Sequence, residues 1–178
     1  IMSNEVGSLV SVENIAREIG LDAKTVQKYL GYFETSFLIS FAYNFSKSFR
    51  KAGRLLKKVY LGSTNFFSVF HDYKNHEVAS QQFGLLAENY CFALLRKRYE
   101  FISFYNVRGR EIDFVVTNDL LDKKQKKYFE VKYRNNIQSR DLKFIASVAK
   151  KTNSVFSILS KDSFQVEDKF AVIPVWIL

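Results

Sequence analysis

From Gly84 onward the apolar residues change period in a fixed order, and that order constrains the fold more than any other feature of the chain. Gly84 to Tyr99 carries helical spacing; Phe101 to Asn106, Glu111 to Thr117 and Lys127 to Tyr133 read as extended; Arg140 to Lys151 is helical again and Ser154 to Leu159 extended. Phe170 to Ile177 adds one more strand, and no internal repeat interrupts the series. Helix, three strands, helix, strand is the succession of an α/β domain. Phe66 to Phe83 reads as a join, which divides the chain into modules at 1–70 and 71–178.

The first module opens with two short amphipathic helices. Val12, Ile15, Ala16 and Ile19 share one helical stripe that Gly20 ends, and Asp22 can cap a second helix whose inward face is Val26, Tyr29, Leu30 and Phe33. Small Ala16, a left-handed Gly20 and Leu21 plugging the corner suit a helix-turn-helix. Phe37 to Tyr43 and Leu56 to Leu61 then read as the two strands of a wing hairpin. A winged helix-turn-helix is predicted, with Lys24, Thr25, Gln27 and Lys28 facing outward, either into a DNA major groove or as a polar surface.

Charge points to the same partner. The chain carries a net charge of +9, and between Glu34 and Asp72 it has no acidic residue, while Lys47, Arg50, Lys51, Arg54, Lys57 and Lys58 cluster there. Clustered cations gain affinity for phosphate backbones through counterion release, although an acidic protein or a solvated face would draw on the same residues. The run from Lys123 to Lys127 reads as a solvated hairpin tip.

Composition excludes several classes. With 47% hydrophobic residues, seven Gly and one Pro in 178 residues, the chain is expected to fold. No apolar run approaches the roughly 20 residues that span a bilayer, so no membrane partner is expected. A lone Cys91 with only His71 and His76 offers neither a disulfide nor a zinc set, in keeping with a reducing, cytoplasmic setting. The chain begins with Ile, as a fragment would; a homo-oligomer is left open.

Three acidic residues of the second module stand where a core would not place them. Leu85, Glu88, Phe92, Leu95 and Tyr99 form one helical stripe, so Glu88 projects from its apolar face. Asp113 lies between Ile112 and Phe114, and Glu130 between Phe129 and Val131, with strand alternation putting Lys132 beside Glu130. A single strand carboxylate is ordinarily solvated or salt-bridged; three acids with a lysine in successive elements suggest one shared site. Hard oxygen ligands on adjacent strands suit Mg²⁺ or Mn²⁺, which would offset phosphate charge and activate water in phosphodiester hydrolysis. Asp113 and Glu130 are the expected ligands, Glu88 completes the shell, and Lys132 contacts the phosphate or orients the water.

The helix bearing Glu88, Glu111-Ile112-Asp113 on a strand and Glu130-Val131-Lys132 on the next resemble the PD-(D/E)xK nuclease superfamily, with Ile112 where the motif's name has Pro. That resemblance implies a restriction-endonuclease-like α/β fold. A wider one runs through Thr25-Val26-Gln27-Lys28-Tyr29-Leu30, Lys58-Val59-Tyr60-Leu61 and Gly84-Leu85-Leu86-Ala87-Glu88-Asn89. Together with the two acidic strand motifs, these segments resemble the C-terminal half of a family of prokaryotic AAA+-type ATPases, in which a winged helix and a nuclease-like domain of unknown function follow the ATPase. The missing ATPase domain would then lie upstream, since no GxxxxGK[ST] loop occurs in these residues. A DNA-binding, nuclease-like region is the function expected. A catalytically silent nuclease fold that docks DNA or protein, and a winged-helix regulator that dimerises through its second domain, are the alternatives.

Overall fold

Ser11 and Asp22 start the first two helices of the computed structural model, which describes residues 5–45, 57–70, 76–120 and 126–178, with the side chains of 68, 70 and 76–81 outside the description. The Ser11 hydroxyl accepts from the Asn14 N–H at 3.3 Å and the Asp22 carboxylate from the Thr25 N–H at 3.0 Å, satisfying donors that a first helical turn leaves open. They begin α1 (Val12–Ile19) and α2 (Ala23–Thr35), and Gly20 closes α1 at φ +69°, where a side chain would be strained. The packing stripe is narrower than its spacing suggested. Val26 and Leu30, one turn apart, are buried, whereas Tyr29 and Phe33 are exposed, and Leu21, expected to plug the corner, is 46% exposed.

Strand β2 (Ile39–Asn44) pairs antiparallel with β3 (Lys57–Leu61), from Ile39 opposite Leu61 to Tyr43 opposite Lys57, as a wing hairpin would. The short β1 (Leu9–Val10) pairs with the other edge of β3. Between the two hairpin strands, residues 46–56 lie outside the described residues, and with them Lys47, Arg50, Lys51 and Arg54. After α3 (Asn65–Phe70) comes α4 (His76–Arg96), which begins before Gly84 because neither Gly nor Pro interrupts residues 76–83.

The elements β4 (Phe101–Val107), β5 (Arg110–Thr117), β6 (Lys127–Lys132), α5 (Ser139–Thr152), β7 (Phe156–Ser160) and β9 (Phe170–Pro174) follow the expected order, with a short unexpected β8 (Gln165–Val166) before β9 and a 3-10 turn, Val175–Ile177, where the last strand was expected to continue. The result is an α/β fold on one mixed sheet of nine strands, ordered β1-β3-β2-β4-β5-β6-β7-β9-β8. The hairpin is not a separate wing: β2 runs parallel to β4, with Tyr43 opposite Ser103 and Asn44 opposite Phe104, so both segments share one sheet. On one face, Tyr60, Phe92, Leu95, Phe114, Phe129 and Leu159 join the larger core under α4. On the other, Tyr128, Ile145, Val148, Phe156, Ile158 and Val172 pack under α5. Among the described residues no helix is long and apolar enough to cross a membrane.

One irregularity bears on the site. Ser103 pairs with Val115 but Tyr105 with Ile112, so Asp113 and Phe114 together stand opposite Phe104. This β-bulge inserts one extra residue and re-aims the side chains around it.

Candidate acid-lysine centre

The centre is assembled from α4, β3, β5 and β6. Alternation along β3 puts Lys58 and Tyr60 on one side, toward α4, and the Lys58 side chain is only 3% exposed. Its ammonium lies 2.5 Å from Glu111 Oε1, 3.3 Å from Glu88 Oε1 and 3.6 Å from Asp113 Oδ1. Glu111 and Glu88 lie within hydrogen-bond distance of it and Asp113 adds negative charge at ion-pair distance, which is how a buried ammonium is sustained. Burial works against its charge, yet Glu88, Asp113 and Glu111 outweigh that and raise its pKa above the ordinary lysine value.

Glu88 is held from three sides. It accepts from the Tyr60 hydroxyl at 2.9 Å as well as from Lys58, and the Tyr60 ring is stacked on Phe92 at 4.1 Å. Gly7, at φ +71°, approaches so closely that a Cβ there would stand 2.8 Å from both Glu88 carboxylate oxygens. The neighbouring Asn89 is buried and bonded to the backbone of Leu61, which locks α4 onto β3.

Asp113 and Glu130 meet in a fork. The β5–β6 ladder stops at Phe114 opposite Phe129; beyond it the Asp113 N–H donates to Glu130 Oε2 at 3.3 Å and the Val131 N–H to Asp113 Oδ2 at 2.8 Å. Each carboxylate thus replaces a backbone partner on the opposite strand. Lys132 extends alongside, its ammonium 2.5 Å from Glu130 Oε1. Burial, then the nearby Asp113 charge, pushes Glu88 and Glu130 up to about 7.

Glu88, Asp113, Glu130 and Lys132 are therefore brought together, but not as the expected ring of three metal ligands. Glu88 is engaged by Lys58 and Tyr60, and among the described residues no three Asp, Glu, His or Cys side chains are arranged to hold a metal ion. Lys58 itself departs from the basic strip, because its strand is covered by α4 and three carboxylates draw the ammonium inward. Lys57, on the opposite side of β3, is only partly buried, its ammonium 3.6 Å from the Phe41 ring centre. Lys24, Gln27 and Lys28 are exposed on α2, and Thr25, half-buried, donates its hydroxyl to the Asp22 carboxylate at 2.5 Å.

Two features are not apparent from the sequence pattern. Glu111, which carries no role in the motif, both binds Lys58 and accepts from Asn106 Nδ2 at 3.1 Å. It also lines a groove of about 490 Å³ with Arg110, Arg140, Lys143, Phe144 and Ser147. Lys58 is the second: Val59 and Tyr60, on opposite sides of β3, are both buried, so the local pattern does not tell which way the lysine faces.

Were a hard divalent cation bound, Asp113 and Glu130 would be the residues to hold it. Mg²⁺ commonly takes one or two carboxylates and completes its shell with water and phosphate oxygens, and the fork offers Asp113 and Glu130 on adjacent strands. Lys58 pairs with Glu88, Glu111 and Asp113, and Lys132 with Glu130.

No curated protein and no solved structure matches the chain. Residues 1–65 match a family model described as Domain of unknown function (DUF8612). Residues 83–178, which hold Glu88, Glu111, Asp113, Glu130 and Lys132, match the one described as Domain of unknown function (DUF4143); with more than half of its length matched, the chain belongs to that family.

Proposed function

We propose that the chain is the DNA-binding, nuclease-like region of an ATPase-like protein, with residues 71–178 as a PD-(D/E)xK domain cleaving phosphodiesters at the fork between β5 and β6. The carrying observation is the fork itself: two carboxylates on adjacent strands with an ammonium beside them, in contact through Asp113 and Lys58 with Glu111, which opens into a groove walled by Arg110, Arg140 and Lys143. Asp113 and Glu130 would hold Mg²⁺ or Mn²⁺, and the ion would neutralise phosphate charge and lower the pKa of the attacking water.

The chain's own groups do the rest. Lys132, whose side chain is 31% exposed, can reach a phosphate oxygen while Glu130 holds its ammonium in place. Arg110, Arg140 and Lys143 offer charge along which a phosphate backbone can lie, with the Phe144 ring beside them. Lys24, Lys28 and Lys57 extend the positive surface on the N-terminal module. Asp113→Asn tests the reading, since it removes ligand charge with little change of shape. DNA binding should be retained and Mg²⁺-dependent cleavage lost; cleavage that survives the substitution refutes the assignment.

A second reading draws on Lys58. Because three carboxylates already share its ammonium, the fold could serve as a docking module for DNA without hydrolysis. In that case wild-type chain binds DNA and Mg²⁺ elicits no cleavage, with or without the upstream ATPase.

A further inference from the structure

We infer that Phe144 is a stacking platform in the groove beside Glu111, which makes the chain prefer single-stranded DNA to duplex. This rests on the DNA-binding part of the reading above and names the form of DNA that the groove selects; neither a metal ion nor cleavage enters it. On α5, Arg140, Lys143, Phe144 and Ser147 recur at the three- and four-residue spacing that puts side chains on one helical face, and all four line the groove. Arg140, Lys143 and Ser147 are exposed and Phe144 is half-buried. The β4–β5 hairpin supplies Arg110, whose guanidinium carbon lies 5.9 Å from the centre of the Phe144 ring. Val107 pairs with Arg110, and the two residues between them, Arg108 and Gly109, have φ of +54° and +76°. Positive φ at both positions makes a tight hairpin turn whose twist matches its strands, so Arg110 is held in place.

Phosphates are exposed on single strands and duplexes alike, so the three cations hold either form. Base faces are not: within a duplex each is covered by its neighbours, whereas an unpaired base can leave the stack and lie on an aromatic ring. Phe144 is built for that contact. Its ring stacks with Tyr105 at 6.5 Å between centroids and 29° between planes, and both rings pack against the core under α5, so the platform is ordered before a strand arrives. Among the described residues none of Arg110, Arg140 and Lys143 is held in an ion pair, which leaves their charge for the phosphates flanking a stacked base. Glu111, the acid of the lining, is neutralised by Lys58 at 2.5 Å. A volume of about 490 Å³ is that of a small-ligand site, which a splayed nucleotide can enter and a duplex can only lie across.

The test is the affinity of the full chain for a short labelled oligonucleotide, single-stranded or annealed to its complement, followed by fluorescence anisotropy in EDTA so that cleavage plays no part. The wild type should bind the single strand more tightly. Phe144→Leu keeps an apolar side chain against the core and removes the ring, so it should weaken single-strand binding by roughly 5- to 150-fold per stacked base and leave duplex binding unchanged. Phe144→Trp should keep the preference. Equal affinity for the two forms, or a preference that survives in F144L, overturns the inference while leaving DNA binding in place. Binding of neither form refutes it together with the DNA-binding reading, and a preserved preference without Mg²⁺-dependent cleavage refutes the nuclease reading alone. A second measurement needs no variant to fold: irradiating the wild type with a bromodeoxyuridine-substituted single strand should join it to the α5 peptide that carries Phe144, and adducts confined to other peptides overturn the inference.

Discussion

Asn89 grips Leu61 by both backbone groups: the Leu61 N–H donates to Asn89 Oδ1 at 2.7 Å, and Asn89 Nδ2 donates to the Leu61 carbonyl at 3.1 Å. The amide is fully buried and adjoins Glu88 in sequence, so this pair sets how the helix carrying Glu88 meets the strand carrying Lys58. Asn89→Ala would strand two buried backbone groups and is expected to cost on the order of 2–4 kcal/mol. A lower urea midpoint at unchanged slope would show it. A loss below about 1 kcal/mol would mean that the grip is not what holds the two elements.

Gly7 and Gly20 make a matched pair for testing close approach. Both have positive φ, +71° and +69°, but a Cβ at Gly20 meets nothing within 4 Å whereas one at Gly7 collides with the Glu88 carboxylate. Gly20→Ala should therefore cost only the left-handed strain of about 1–2 kcal/mol. Gly7→Ala should lower the melting temperature further than Gly20→Ala does. Equal effects in a side-by-side melt would show that Glu88 moves aside freely.

The buried carboxylates give stability an unusual pH dependence. Glu88 and Glu130 are raised to about 7 in the folded chain, against an ordinary glutamate value of about 4.3 when unfolded. The fold holds these protons more tightly than the unfolded chain, so the associated stability is fully present below about pH 4.3 and is lost as the pH rises through about 7. Asp141 acts oppositely: its slight burial is outweighed by the Gln138 N–H and by Arg134, so it matters only in more acidic solution. The melting temperature should thus rise from about pH 8 to about pH 5.5, with Glu130→Gln flattening the slope. A profile that falls over this range and is identical in Glu130→Gln contradicts the assignment.

DNA affinity should depend steeply on salt through the groove beside Glu111. Every cation withdrawn from a phosphate lowers the slope of log affinity against log salt by roughly 0.9 for duplex DNA. Arg140→Gln and Lys143→Gln together should flatten it by about 2, Lys57→Gln by less than about 1, since that ammonium already faces Phe41. An unchanged slope in the double variant would place the DNA elsewhere.

Local pattern made part of this molecule legible and long-range pairing hid the rest. The helix of Glu88, the strands of Asp113 and Glu130 and the order of elements follow from hydrophobic period, which a sequence displays directly. Which strand edges join is not a local property. Two residue pairs, Tyr43 with Ser103 and Asn44 with Phe104, connect the expected wing to the second module's sheet, and nothing in either strand announces the other. Burial of Lys58 follows from that join and from the helix laid across β3, so its charge read as surface. The bulge at Asp113 was equally silent, because an inserted residue shows only against its partner strand. Glu88 was rightly placed on the apolar stripe; its partner was missed because it came from across the sheet.

The Lys58 ammonium also makes the two family-matched segments thermodynamically reciprocal. Pulling residues 57–61 away from α4 would leave a bare lysine on one side and Glu88, Glu111 and Asp113 without their ammonium on the other, while stripping Tyr60 from Phe92. Breaking one partner from a buried ion cluster costs about 3–5 kcal/mol, so neither segment loosens without weakening the other. The boundary at which two families meet in sequence is, in energy, the interior of one cooperative unit.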